Sequence, residues 1–266
     1  MKIIITGSRG FIGKNLLNFF QKKHQVRKLI YKNISLLNEE KYKKKLEKIF
    51  SKFKPDIIIH AATKFSKKKD KEIKKECLKI NYKYSKVLYK VAVSLKIKKF
   101  IYFGSNYEFE KDKNKLYPYL LSKIKFSKFL KKADNKDTTL LAIYLFNTFG
   151  VGDKRGKFYS KILENPKKKV RFSNNLKINY INVNSLINYI DEQIKIDKIK
   201  QKKFICLMNK EFFTIKHINQ LKLKTVPFES IKKLTFEHKL KIPEKKVYIK
   251  DKLENSLHKF LEKRIL

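Results

Sequence analysis

"MKIIITGSRGFIG", residues 1–13, runs from an apolar stretch through Thr6 to glycines at 7, 10 and 13. An apolar run this short reads as a buried strand, and "GKNLLNFFQKK" (13–23) reads as an amphipathic helix. Glycines between the two let the backbone bend sharply and let a diphosphate approach the helix N-terminus, where unpaired N–H groups and the helix dipole favour anions. G-x-x-G-x-x-G alone is a moderate signal. Its place, after a buried strand and before a helix, makes it a dinucleotide turn.

The alternation continues outward from that turn. "QVRKLIY" (25–31) is the next strand, "KYKKKLEKIFSKF" (41–53) a helix, and "PDIIIHAA" (55–62) a strand introduced by Pro55. "CLKINYKYSKVLYKVAVSL" (77–95) reads as a long helix, "KKFIYFGS" (98–105) as a strand, "YLLSKIKFSKFLKK" (119–132) as a helix and "TTLLAIYLFNTFG" (138–150) as a strand. Buried strands alternating with amphipathic helices specify a doubly wound parallel α/β sheet. "KKADNKD" (131–137) and "NPKKK" (165–169) are loops. The expected organisation is a nucleotide-binding domain over 1–207, with a substrate-side segment near 151–176, and a small substrate-binding subdomain over 208–266.

The 266 residues are 42% hydrophobic, enough for a sizeable core, yet carry a net charge of +43. That balance ordinarily points to nucleic acid. Here 62 of the 67 basic residues are lysine, scattered through nearly every segment beside Ile and Asn. A duplex reader uses clustered arginine to fork onto guanine or phosphate, so the charge reads as a solvated lysine coat and no specific nucleic-acid partner is expected. Cys77 and Cys206 have neither disulfide nor zinc spacing, and the five histidines are dispersed, so no metal is expected. The first strand begins at residue 2 and no apolar run approaches 18 residues, which predicts a cytoplasmic protein without a transmembrane segment.

A second constellation carries the chemistry. "GSNYEF" (104–109) lies at a strand end, and "YPYLLSK" (117–123) opens the following helix. Tyr119 and Lys123, four apart, share a helix face. A phenol near pKa 10 is a poor proton donor at neutral pH, and a neighbouring ammonium favours its phenolate. The Ser105 hydroxyl is placed to donate to a carbonyl or developing alkoxide.

With these residues in view, the chain resembles the extended short-chain dehydrogenase/reductases, the NAD(P)-dependent epimerase/dehydratase family that acts on nucleotide sugars, with a Rossmann-type sheet. "TGSRGFIG" is similar to its cofactor turn, "PDIIIHAA" to its fourth strand and "PYLLSK" to its Tyr-Lys motif. "YLFNTFGVGD" is similar to its "RxFNxYGPGD" segment, "INYINVNSLINYI" to its "RDFVYVDDLVxAI" segment, and "KDKLENSLHKFLEK" to its last helix. The resemblance implies a catalytic trio of Ser105, Tyr119 and Lys123. It also implies cofactor contacts from Gly7, Arg9, Gly10, Phe11, Ile12, Gly13, Lys32, Ala61, Ala62 and Lys123, and substrate contacts from Asn106, Asn147 and Arg171. A nucleotide-sugar substrate, a homodimer and a place in surface-polysaccharide precursor synthesis are implied with them.

Three departures narrow the reading. Relatives that prefer NAD place Asp after the second strand, where this chain has "LIYKN"; with Arg9 and Lys32 nearby, NADP is the expected cofactor and NAD the alternative. In the "RDFVYVDD" segment the arginine and acids are replaced by Ile178, Asn179, Asn184 and Ser185. The family's dehydratases follow the catalytic Ser/Thr with an acidic pair, whereas Asn106 and Tyr107 follow Ser105 and Glu108 comes one position late. Dehydration is therefore not expected; the short part over about 208–266 resembles the compact 4-ketoreductases more than the longer epimerases, which implies reduction of a 4-keto sugar, with 4-epimerisation as the alternative.

Overall fold

The computed structural model describes residues 1–30, 38–112, 116–135, 137–155, 170–172, 177–197, 201–214, 228–230 and 245–249. The chain order is β1 (Lys2–Thr6), α1 (Phe11–Phe20), β2 (Gln25–Leu29), α2 (Glu39–Phe53), β3 (Ile57–His60) and α3 (Lys71–Leu78). A π-helical turn (Lys79–Tyr84) then runs into α4 (Ser85–Ser94), followed by β4 (Lys99–Ser105), a 3₁₀ turn (Asn106–Phe109), α5 (Pro118–Lys132), β5 (Thr139–Leu145) and β6 (Asn147–Phe149). Among the described residues β7 (Val170–Phe172), β8 (Tyr180–Asn182), α6 (Val183–Lys195), β9 (Lys202–Asn209), β10 (Phe228–Ser230) and β11 (Lys245–Ile249) follow.

Seven strands form one sheet in the order β11-β9-β5-β4-β3-β1-β2, in which β2, β1, β3, β4 and β5 run parallel. The chain leaves β1 outward to β2 and returns on the other side to β3, so the strand order reverses between β1 and β3. Ligands of doubly wound sheets bind in the crevice at the carboxyl ends of such strands. The glycine turn and the Ala61–Ala62 segment both start there.

Burial follows the sequence pattern. Ile3, Ile4 and Ile5 are fully buried and every residue of β5 is buried, which is what strands covered on both faces require. α2 buries Tyr42, Leu46 and Phe50, one stripe at a spacing of four, and is capped by Asn38, whose Oδ1 accepts the Lys41 N–H at 2.8 Å. α5 opens with Pro118 in its first turn and buries Leu120, Lys123, Phe126 and Leu130. Lys123 thus falls on the apolar stripe of its own helix.

Three elements differ from expectation. The helix expected from 77 begins at Lys71, because Asp70 accepts the Ile73 N–H and caps it. The strand expected over 25–31 ends at Leu29. The apolar run 138–150 is two strands: β5 stays in the large sheet, while β6 pairs instead with β8. That change of sheet coincides with a division into two compact units, one of 1–145, 187–206 and 242–245, the other of 146–186, 207–241 and 246–266. Among the described residues no helix is long and apolar enough to cross a membrane.

Candidate active site

Gly7 follows the first strand at φ +71°, and a Cβ there would lie 2.5 Å from the Ala62 nitrogen. At Gly13 a Cβ would lie 2.2 Å from the Gly7 carbonyl oxygen. Both glycines are demanded by the turn's own packing. Gly10 is different: its nearest neighbour would be the Gly7 oxygen at 3.4 Å, an ordinary contact. Gly10 is also the N-cap of α1, whose N-terminus has no side-chain cap and no acid in its first turn. A helix N-terminus left uncapped behind a bare glycine suits a diphosphate. Arg9 stands exposed in this turn, Phe11 and Ile12 are half-buried, and Ala62 anchors the facing segment through its N–H to Thr6 Oγ1 at 3.1 Å.

Ser105, Tyr119 and Lys123 come from the end of β4 and the first turns of α5. The Lys123 ammonium donates to the carbonyl of Phe103, two residues before Ser105, and so ties the two elements together. Its Nζ lies 4.5 Å from the Tyr102 ring centre and 6.0 Å from that of Tyr119. Burial lowers the Lys123 pKa from 10.5 to about 8, against the opposing pull of Glu108. Near neutral pH the group is therefore still mostly a cation beside the Tyr119 ring. Phe65, largely exposed, meets Tyr119 edge-on at 5.0 Å, and Tyr117 stacks on Tyr119 at 6.0 Å, giving the phenol an aromatic surround. Asn106 is buried, and its side-chain Nδ2 has no hydrogen-bond partner among the described residues. A buried donor without an acceptor costs about 1–3 kcal/mol, which a bound ligand would recover.

Two contributors escape a reading of the sequence alone. Asn81, buried in the π-helical turn, accepts from Thr63 Oγ1 at 3.1 Å and from the Lys64 N–H at 2.7 Å through Oδ1. Its Nδ2 donates to the Lys64 carbonyl and to Ser122 Oγ, each at 2.9 Å. Ser122 in turn donates to the Tyr119 carbonyl at 2.7 Å. One amide thus links the segment after β3 to the turn of helix that carries Tyr119. Glu108, passed over as one position late, accepts the Ser105 N–H at 2.7 Å and the Ser127 hydroxyl at 2.5 Å.

A family model described as the NAD dependent epimerase/dehydratase family matches residues 3–180. The chain belongs to that family. No curated protein matches it. Among solved structures it is similar to a dTDP-4-dehydrorhamnose reductase from Clostridium acetobutylicum (18% identity, 100% of both chains, TM-score 0.74). It is also similar to a UDP-glucose 4-epimerase from Thermotoga maritima with UDP-glucose (16%, 100% of both chains, 0.73). A third is a dTDP-4-dehydrorhamnose reductase from Bacillus anthracis in complex with NADP (17%, 98% of this chain and 99% of that one, 0.69). At these identities the likeness establishes the Rossmann-type fold.

In this epimerase/dehydratase-family chain the remaining expected residues lie in the second unit or outside the described residues. Asn147 opens β6 opposite Tyr180, its N–H bonded to the Asn179 carbonyl at 3.3 Å. Asn179, which replaces an acid of the family pattern, is fully buried. Its Nδ2 donates to the Asn209 carbonyl and its Oδ1 accepts the Asn209 N–H, both at 2.9 Å. An ionised aspartate there supplies only the acceptor, so the replacement has a structural reason. Arg155 clamps the buried Asp153 through Nε at 2.6 Å and one terminal nitrogen at 2.7 Å, and the same terminal nitrogen reaches the Thr148 carbonyl at 2.6 Å. Arg171 is on β7, of which only the backbone is described. Lys32, the loop 165–169 and the helix expected over 250–263 fall outside the described residues, as does most of 208–266.

Proposed function

We propose that the protein reduces a nucleotide-activated 4-keto sugar with NADPH, in the cytoplasm and as a homodimer, in the supply of surface-polysaccharide precursors. The observation that carries the choice of reaction is the commitment of Glu108. Elimination of water needs a dedicated acid and base beside Ser105. The carboxylate next to it is engaged by the Ser105 N–H and the Ser127 hydroxyl, and its neighbours are the amide of Asn106 and the exposed Tyr107. Reduction asks for less. The Ser105 hydroxyl donates to the keto oxygen, the Tyr119 phenol delivers the proton that turns it into an alcohol, and the Lys123 ammonium steadies the phenolate left behind.

A nicotinamide nucleotide, when bound, supplies the hydride. Gly7, Gly10 and Gly13 with Phe11, Ile12, Ala61 and Ala62 would hold its diphosphate and flank it. Arg9, exposed in the turn, suits the 2′-phosphate of NADP, since a guanidinium forks onto phosphate oxygens. Asn106, Asn147 and Arg171 are assigned to the sugar nucleotide.

The test is purified protein with NADPH against a panel of nucleotide 4-keto sugars, following NADPH consumption and the product sugar. Stoichiometric loss of NADPH with formation of a 4-hydroxy sugar is the expected result. Interconversion of 4-epimers without net loss of cofactor would replace reductase by epimerase.

A further inference from the structure

Glu108 has no task in the reduction just described, yet its surroundings are those of a built site. Its carboxylate accepts the Ser105 N–H at 2.7 Å, and the Ser105 hydroxyl accepts the Tyr107 N–H at 3.4 Å, a reciprocal capping box across the 3₁₀ turn. The second carboxylate oxygen takes the Ser127 hydroxyl from α5. Gly104 leaves the space: a Cβ there would sit 2.5 Å from the Tyr144 ring and 3.0 Å from Glu108 Oε1. One peptide earlier on the same strand, the Phe103 carbonyl receives the Lys123 ammonium. An anion and a cation therefore engage the two ends of the stretch 103–105 that presents Ser105.

We propose that Glu108 is a positioning residue of the active site: its carboxylate fixes the Ser105 peptide and is the counter-charge that keeps Lys123 an ammonium. This rests on the reading of Ser105, Tyr119 and Lys123 as the reacting trio. The titratable groups that face Lys123 are Glu108 from the 3₁₀ turn, Tyr102 from β4, Tyr119 from its own helix and His60 from β3. His60 is held neutral by burial, with a pKa near 3, and Tyr102 is kept a neutral phenol by burial first and by Glu108 next. That leaves Glu108 as the anion of the group. Burial already brings Lys123 down to about 8, so loss of the opposing carboxylate moves its titration further down, toward neutrality.

Protein labelled with ¹³C at the lysine ε-carbon reads this directly, because a titration near pH 8 lies well below the reference value of a free lysine, about 10.4. The signal is assigned by its loss in Lys123→Arg, and that of Lys99, also lowered by burial, by its loss in Lys99→Arg. Glu108→Gln keeps an acceptor for the Ser105 N–H and removes the charge. In it the Lys123 midpoint falls by about one pH unit or more, and the alkaline limb of the kcat profile falls with it, while KM for NADPH stays within about twofold. An unchanged Lys123 midpoint in folded Glu108→Gln overturns the proposal. If that variant does not fold, the reciprocal measurement decides: in Lys123→Met the Glu108 carboxyl titrates at higher pH than in the parent, and an unchanged value overturns the proposal equally. Neither titration needs substrate. Coupled titrations in a protein that reduces none of the keto sugars support the assignment of Glu108 and count against the reductase reading alone.

Discussion

Thr6, the last residue of β1, and His60, the last of β3, meet at 2.8 Å between Oγ1 and Nδ1. Thr6 also accepts the Ala62 N–H, and on the far side His60 Nε2 lies 2.8 Å from Ser85 Oγ, whose proton goes to the Ile80 carbonyl. The two ends set the direction: Thr6 donates to Nδ1 and Nε2–H donates to Ser85. Burial holds the folded His60 pKa near 3, below the ordinary 6.5 of the unfolded chain. The unfolded state therefore takes up the proton first, so the contribution is complete above pH 6.5 and is lost as pH falls toward 3. By pH 4.5 the loss is about 3 kcal/mol. Urea titrations between pH 4.5 and 7 should show this slope in the parent and a flatter one in His60→Gln.

Substitution of the turn glycines separates folding from binding. Gly13→Ala drives a methyl to 2.2 Å from the Gly7 oxygen and should lower the melting temperature sharply. Gly10→Ala meets only an ordinary contact, so it should melt close to the parent while binding NADPH at least tenfold more weakly. Calorimetry and fluorescence titration of both variants check the contrast.

Arg9→Ala addresses cofactor choice. NADPH should bind the parent more tightly than NADH, and the substitution should narrow that gap by about 1–3 kcal/mol, the range for a charged hydrogen bond. Equal affinities in the parent would remove the case for NADP.

Tyr119→Phe keeps the ring between Phe65 and Tyr117 but loses the proton. Turnover should fall by about two to four orders of magnitude with NADPH affinity near the parent value. Lys123→Met should damage both and yet melt higher at pH 7. The folded lysine gives up its proton near pH 8 and the unfolded one near 10.5, so the parent gains about 3 kcal/mol as pH rises through that window. The methionine variant should lack that rise, which denaturation at pH 7 and 10 will show.

The sheet was legible because each central strand is a short apolar run and each helix has a stripe, as with Tyr42, Leu46 and Phe50. The positions of the glycine turn after β1, of Ser105 at the end of β4 and of Tyr119 and Lys123 four apart at the start of α5 were legible in the same pattern. The passage of the chain to a second sheet at Phe146 was not, since 138–150 carries neither Gly nor Pro before Gly150 and its one turn-prone residue, Asn147, opens β6 instead of a loop. Asn81 and Glu108 were hidden for another reason: each acts through partners distant in sequence, Ser122 for one and Ser127 for the other. A polar residue on an apolar helix, or an acid three residues past a serine, carries no periodicity that would announce such a partner.

The ammonium of Lys99, buried at the start of β4, donates to the carbonyls of Gln193, Ile194 and Ile196 at 2.6, 3.2 and 2.9 Å. It thereby closes the C-terminal end of α6, where a helix leaves its last carbonyls without partners. The strand that delivers Ser105 is thus moored at its other end to a segment beyond residue 180, where the family match stops. A fragment cut at 180 would strand that lysine in an apolar interior and strip β9 from the edge of β5. Residues 1–180 are therefore not a separable module. Proteolytic trimming or gene dissection at that point should yield an insoluble piece, and a split reporter built on this protein would need its break placed elsewhere.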